Sequence, residues 1–279
     1  VKPGQIARVS WIWCNGEYLD GPLTVSPRDR GFTHGLGIFE TLLAVNGRPA
    51  VLEMHLERMR AGAERFGWSG QDLGTVRIAE AISGLLKRQA LDQGRARVRI
   101  ALSAGEGDLS DLKQGWNSLV WITASAAPEP PQSVMLATAA FPRNEASPLA
   151  GIKCASYAEN LVALDEARRK GVDEMLFYNT KAELCEGTTS NVFLVMQGKV
   201  YTPPLSSGCL PGTMRALVIA KCRELGIEVA EEVLTAAHVG AADEVFITSA
   251  TRGVVVVRQI DHVAYHTSSD LTERIRVAL

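Results

Sequence analysis

Five cysteines, Cys14, Cys154, Cys185, Cys209 and Cys222, form no CxxC pair and are odd in number. That argues against a disulfide framework and suits reduced thiols. No apolar run approaches the roughly 20 residues that span a bilayer. Residues 1–8 lack the charged-then-apolar layout of a secretory leader, so a cytoplasmic protein is expected. Surplus charge is missing as well. Lys and Arg number 29 against 31 Asp and Glu, so no net field draws nucleic acid or an acidic membrane. Five histidines are scattered. His262 and His266 are four apart, but Asp261 and the hydroxyl run at 267–269 imply a turn there, and no metal site is expected. The dinucleotide fingerprint GxGxxG, the nucleotide phosphate loop, the GxSxG elbow and HExxH are all absent. Several common enzyme classes are thereby demoted.

What remains is a chain of 279 residues, long enough for two compact lobes, without internal repeats or low-complexity tracts. Apolar runs predict strands at 11–14, ending in an Asn15–Gly16 hairpin turn, at 37–45 and, after Asn46–Gly47, at 48–52. Leu56, Met59, Ala63 and Phe66 recur at helical spacing up to Gly67, and a second helix is expected at 73–89. Strands follow at 96–103 and 118–124. Segment 126–132 places three prolines in four positions and reads as a linker. Beyond it, strands are expected at 133–138, 174–178, 191–196, 227–231, 244–248 and 253–260. Helices are expected at 157–170, with Leu161, Leu164 and Ala167 on one face, and at 211–225, with Pro211 in the first turn. The expectation is α+β: a small N-terminal domain over 1–125 and a large C-terminal domain over 133–279.

Three features carry chemistry. Of eight lysines, Lys153 alone lies in an uncharged stretch, residues 149–157. A desolvated lysine becomes a nucleophilic amine suited to Schiff-base chemistry, although a strand-end lysine reaching solvent fits the same stretch. Glu183 to Phe193 places acids before glycine and a run of hydroxyls, a turn able to aim donors at an anion or simply a polar loop. Pro211, Gly212 and Thr213 open a helix, whose N–H groups and dipole welcome phosphate.

In this order, the three features resemble the class IV, or fold-type IV, pyridoxal-phosphate aminotransferases. That family includes D-amino-acid and branched-chain aminotransferases, R-selective amine transaminases and aminodeoxychorismate lyase. The likeness covers nearly the whole chain. Asp29 to Glu40 is similar to the first-lobe signature, and His55–Leu56–Glu57–Arg58 to the HxxR step. Lys153 with Tyr157 and Asn160 resembles the lysine segment. Glu186–Gly187 with Ser190–Asn191–Val192–Phe193 resembles EGxxSNxF, the most specific of the set.

The resemblance implies a two-lobe fold, a pyridoxal 5′-phosphate cofactor bound mainly by the C-terminal domain, and a homodimer with Phe32 near the partner's site. It implies that Lys153 holds the cofactor as an internal aldimine and shuttles the substrate proton. Glu186 pairs with the pyridine nitrogen, and Arg58 forks onto the phosphate with the N–H groups of Thr213 and Met214. Tyr157 bonds the ring's phenolic oxygen, and Thr189 and the Ser249–Ala250–Thr251 turn lie near cofactor or substrate. Two departures stand out. Thr213–Met214 moves a hydroxyl by one position relative to many relatives, and Ala250 stands where branched-chain enzymes often have threonine. The Thr–Arg–Gly arginine of D-amino-acid enzymes is missing at 103–105. Arg95, Arg97 and Arg99 alternate along one strand and share a face, which either grips a carboxylate or meets water. The implied activity is transfer of an amino group from a small-molecule donor to a 2-oxo acid. The alternative is elimination of pyruvate from aminodeoxychorismate, which the Met214–Arg215 pair and the missing arginine favour. Retention of Lys153, Glu186 and Arg58 argues against a non-catalytic binding protein.

Overall fold

The structure is a computed structural model that describes residues 11–69, 73–266 and 270–279. The start of the chain at 1–8 and the turn expected at 267–269 lie outside the described residues. The chain divides into two compact units, Val1–Glu129 with Lys153–Ser156, and Pro130–Ile152 with Tyr157–Leu279. The division falls inside the proline-rich segment. Residues 153–156 group with the first unit, although chain order alone assigns them to the second.

In the first unit, β1 (Trp11–Cys14), β2 (Glu17–Asp20), α1 (Arg30–His34), β3 (Gly37–Val45), β4 (Arg48–Pro49), α2 (Leu52–Arg65), α3 (Thr75–Arg88), β5 (Arg95–Ser103) and β6 (Val120–Ala126) follow in order. The strands form an antiparallel sheet of order β2-β1-β6-β5-β3-β4. Period-two alternation explains its faces. Ala96, Val98, Ile100 and Leu102 of β5 are buried, whereas Arg97 and Arg99 are exposed on the opposite face. Leu56 of α2 and Ile78, Ile82, Leu85 and Leu86 of α3 complete the core. The strand expected over 48–52 shrinks to two residues, because Val51 takes a left-handed φ of 44° and Leu52 already opens α2. The strand expected at 118–124 runs two residues later. Lys153–Ser156 lies antiparallel along the start of β3: Phe39 N–H donates to the Lys153 carbonyl (2.9 Å) and Ala155 N–H to that of Gly37 (2.8 Å).

The second unit contains β7 (Ser133–Thr138), α4 (Ala158–Lys170), β8 (Glu174–Tyr178), β9 (Leu184–Gly187), β10 (Asn191–Met196), β11 (Lys199–Thr202), α5 (Thr213–Glu224), β12 (Val229–Glu231), α6 (Ala236–Ala241), β13 (Glu244–Ser249), β14 (Gly253–Ile260), β15 (Val263–Ala264) and α7 (Asp270–Val277). Its nine-stranded mixed sheet has the order β12-β11-β10-β13-β14-β7-β8-β9, with β15 on β14. Strands β14, β7 and β8 run parallel to one another. On one face, Phe193 and Phe246 stack at 4.8 Å and join Val218 and Cys222 of α5 and Ile275 of α7. Val192, Leu194, Val245 and Ile247 build the core of the other face.

Two helix expectations are corrected. Helix α4 buries Asn160, Ala163 and Ala167, while Leu161 is exposed. Small residues let it approach the sheet closely, and Asn160 donates to the Thr188 carbonyl at 2.6 Å. Gly171, at φ 70°, ends it in a left-handed cap. Helix α5 begins at Thr213, so Pro211 precedes it and Gly212 is its N-cap residue.

Candidate active site

In the first unit, Cys154 pairs with Ile38, which puts Lys153 directly opposite Phe39. Opposed residues share a sheet face. Lys153 Nζ lies 4.8 Å from the Phe39 ring centroid, and the Arg99 guanidinium lies 3.8 Å from the same ring. Aromatic faces attract cations, so this ring positions both groups. Arg95, Arg97 and Arg99 share the face expected of them, but only Arg99 reaches Phe39. Arg97 donates to Ser125 Oγ at 3.3 Å, and Arg95 lies 3.6 Å from Glu129.

Arg58 belongs to α2 on the sheet's other face. Its Nε and Nη2 fork onto Glu40 at 2.7 and 2.6 Å, and His55 Nδ1 lies 2.7 Å from the same carboxylate. Burial pushes the Glu40 carboxyl up, but the Arg58 charge and the hydrogen bonds of His55 and Arg58 outweigh it and hold it at about 2. The fork fixes the plane of the guanidinium.

Helix α1 is capped by Asp29, which accepts the Gly31 N–H and the Ser103 hydroxyl, both at 2.7 Å. Buried Arg30 donates to the carbonyls of Ala104, Gly105, Asp108, Asp111 and Lys113. One side chain thus shapes the 104–113 loop. Phe32 is 72% exposed at the surface of this unit.

In the second unit, Glu186 accepts the Leu210 N–H at 2.9 Å and lies 3.6 Å from Arg143 Nε. Arg143 is held by Glu159, Asn160 and the Phe177 ring. Tyr157 precedes α4, and its hydroxyl lies 3.5 Å from the Thr188 carbonyl. Thr189 donates its N–H (2.7 Å) and hydroxyl (2.9 Å) to Glu174, which also accepts from Ser190 and Arg252. Downstream, α5 starts with no side-chain cap. A Cβ on Gly212 would collide with the Asn191 side chain, so the backbone approach there requires glycine. Thr213 is buried and Met214 half-buried in the first turn. Asn191 pairs directly with Thr248, whose hydroxyl is buried (2% exposed) and makes no hydrogen bond among the described residues. Ala250 and Thr251 follow in the turn after β13 and are half-buried. A fixed acid, an uncapped helix start and an unsatisfied hydroxyl beside it match what a phosphorylated, protonated heterocycle requires.

The nearby thiols are poorly suited to nucleophilic work. Burial pushes Cys185 far up, and pushes Cys209 to about 11. Sequence reasoning missed Arg143, Glu174, Thr248 and Arg252. Each sits in a segment without a motif, and only the fold joins it to the residues named in advance.

A model of the family described as Amino-transferase class IV matches residues 37–260. The chain belongs to that family. Its cofactor is therefore pyridoxal phosphate, and its reaction is that of a pyridoxal-phosphate-dependent transaminase or lyase. A Methanocaldococcus jannaschii protein, provisionally named a branched-chain-amino-acid aminotransferase, is 31% identical over 261 residues, 90% of this chain and 88% of its own. The aminodeoxychorismate lyase of Bacillus subtilis is 28% identical over 262 residues, 92% of this chain and 89% of its own. Among solved structures, an aminotransferase from Brucella abortus bound to pyridoxal phosphate superposes with a TM-score of 0.85 at 28% identity, covering 96% of both chains. The class IV fold is thus shared along almost the full length. No helix among the described residues is long and apolar enough to cross a membrane.

Proposed function

We propose that this class IV protein is an aminotransferase that moves an amino group from an amino acid to a 2-oxo acid, with Lys153 holding the cofactor covalently. The observation that carries the cofactor chemistry of this reading is Glu186, a carboxylate pinned by the Leu210 N–H beside Arg143. Bound pyridoxal phosphate supplies an electron-withdrawing ring that stabilises the charge left when the substrate's α-carbon loses a proton. Glu186 keeps a proton on the ring nitrogen, which strengthens that withdrawal. Lys153 Nζ takes the α-proton and returns it, as an amine base of the right reach can do. Arg58 and the N–H groups at the start of α5 bind the phosphate, with Thr213 and Met214 in the first turn. Tyr157 orients the ring, and Thr189, Ala250 and Thr251 lie near cofactor or substrate. A homodimer belongs to this reading, with the exposed Phe32 of the first unit near the partner's site.

The Bacillus subtilis relative favours a second reading, pyruvate elimination. Both reactions begin with the same proton loss, so Lys153, Glu186 and Arg58 do not separate them. Single-turnover mixing does. The visible cofactor band is expected to fade with an amino-acid donor and return with a 2-oxo acid. No fading across a broad panel, with release of pyruvate and 4-aminobenzoate from aminodeoxychorismate, assigns the lyase. A protein that takes up no cofactor overturns both.

A further inference from the structure

We propose that Arg252 reads the carboxylate of the substrate, so that the chain acts on amino acids and 2-oxo acids in preference to amines without a carboxylate. The proposal rests on the aminotransferase reading above and names its substrate class.

The geometry is that of a preset donor. Strands β13 and β14 are closed by a tight hairpin in which Ser249 pairs with Gly253, itself at φ +68°. Arg252 folds back across this turn. Its Nε donates to Ser249 Oγ at 3.2 Å, and its Nη2 donates to Thr189 Oγ1 at 3.3 Å and to Glu174. The guanidinium therefore touches both segments assigned to the surroundings of cofactor and substrate, Thr189 on one side and Ser249, at the start of the turn of Ala250 and Thr251, on the other. Nη1, with two N–H groups in the same plane, makes no hydrogen bond among the described residues. The side chain is 23% exposed, whereas its partner Glu174 is 2% exposed.

Glu174 explains why this arginine does not wander. It is tied by the Thr189 N–H and by the hydroxyls of Thr189 and Ser190. A buried carboxylate needs a cation, and Arg252 supplies it. Nε and Nη2 are thereby fixed, and Nη1 is left to donate to one further acceptor such as a carboxylate oxygen.

The test uses cofactor-loaded protein and a matched pair of donors, alanine (both enantiomers) and ethylamine, followed by the cofactor spectrum. Wild type should respond to alanine at far lower concentration than to ethylamine. Arg252→Leu should raise half-saturation by alanine roughly ten- to a hundredfold, the loss expected for one charge-assisted bond. Its response to ethylamine should not change, and Arg252→Lys should be intermediate. An equal loss for both donors would reduce Arg252 to a structural clamp and overturn the proposal. A wild type equally responsive to both donors sinks the proposal but leaves the aminotransferase reading intact. If wild type shows no transamination at all, calorimetry with pyruvate still decides. Binding to wild type and not to Arg252→Leu sustains the role of Arg252, and equal binding ends it.

Discussion

Glu40 in the first unit and Glu174 in the second are both buried carboxylates facing an arginine, yet they are built differently. Glu40 takes both partners, His55 and Arg58, from one helix, three residues apart. Its network closes as soon as α2 docks on the sheet, and it fixes the pose of one side chain. Glu174 takes its partners from the 189–190 loop and from Arg252, 78 residues away. Here the carboxylate joins two segments and leaves the Arg252 Nη1 without a hydrogen bond among the described residues. Similar ion pairs therefore do opposite jobs. One is closed and positions a neighbour, and the other is open and is able to meet a ligand.

The largest expected effect belongs to a residue outside both networks. Lys153→Ala should lose all covalent cofactor attachment trapped by borohydride while its folding stability stays near that of wild type. Labelling of another single lysine in that variant would move the nucleophile elsewhere. Next comes Glu40→Gln, which breaks the closed network and should cost roughly 3–5 kcal/mol in a denaturant titration at neutral pH. The folded carboxyl is held at about 2, below its ordinary value near 4.5. A depressed acid contributes stability above the ordinary value and loses it as pH falls through the folded one. The contribution, about 3 kcal/mol by that shift, should thus vanish between pH 4.5 and 2. A gap between wild type and Glu40→Gln that is the same at pH 7 and pH 3 would show that Glu40 is not ionised.

Arg58→Ala should weaken cofactor binding by about ten- to a hundred-and-fiftyfold, the equivalent of 1.5–3 kcal/mol. Equilibrium titration checks this, and unchanged affinity removes Arg58 from the site. The smallest effect is expected of Thr248→Val. Losing an unsatisfied buried hydroxyl should leave the cofactor-free protein as stable or about 1 kcal/mol more so. Binding of pyridoxal phosphate should fall a few-fold while that of pyridoxal does not. Equal effects on both would mean the hydroxyl never faces the phosphate end.

Much of the frame was legible because it is periodic. The bounds of β3, β7 and β14 follow from β-type apolar runs ended by turn residues. The buried face of α4 was not, since Leu161 outranks alanine in hydrophobicity but loses to it in close packing. The start of α5 shifted because proline fixes only its own φ, whereas Gly212 is demanded by Asn191. Lys153 stood out by its uncharged surroundings, and Glu186 by its motif. Arg143, Glu174 and Arg252 were illegible for one reason: their partners lie in distant segments, and spacing along the chain carries no trace of them.

The short stretch Lys153–Ser156 does more than deliver a lysine. It supplies backbone partners to Gly37 and Phe39 at the start of β3, from a place in the chain beyond Pro130. A protein chopped at Glu129 would therefore keep every helix of the first unit and still present a raw sheet border there. Unsatisfied strand borders recruit other strands. Such a fragment should self-associate, and an added peptide covering 149–157 should suppress it. By this arrangement the segment bearing Lys153 also guards its own platform against aggregation.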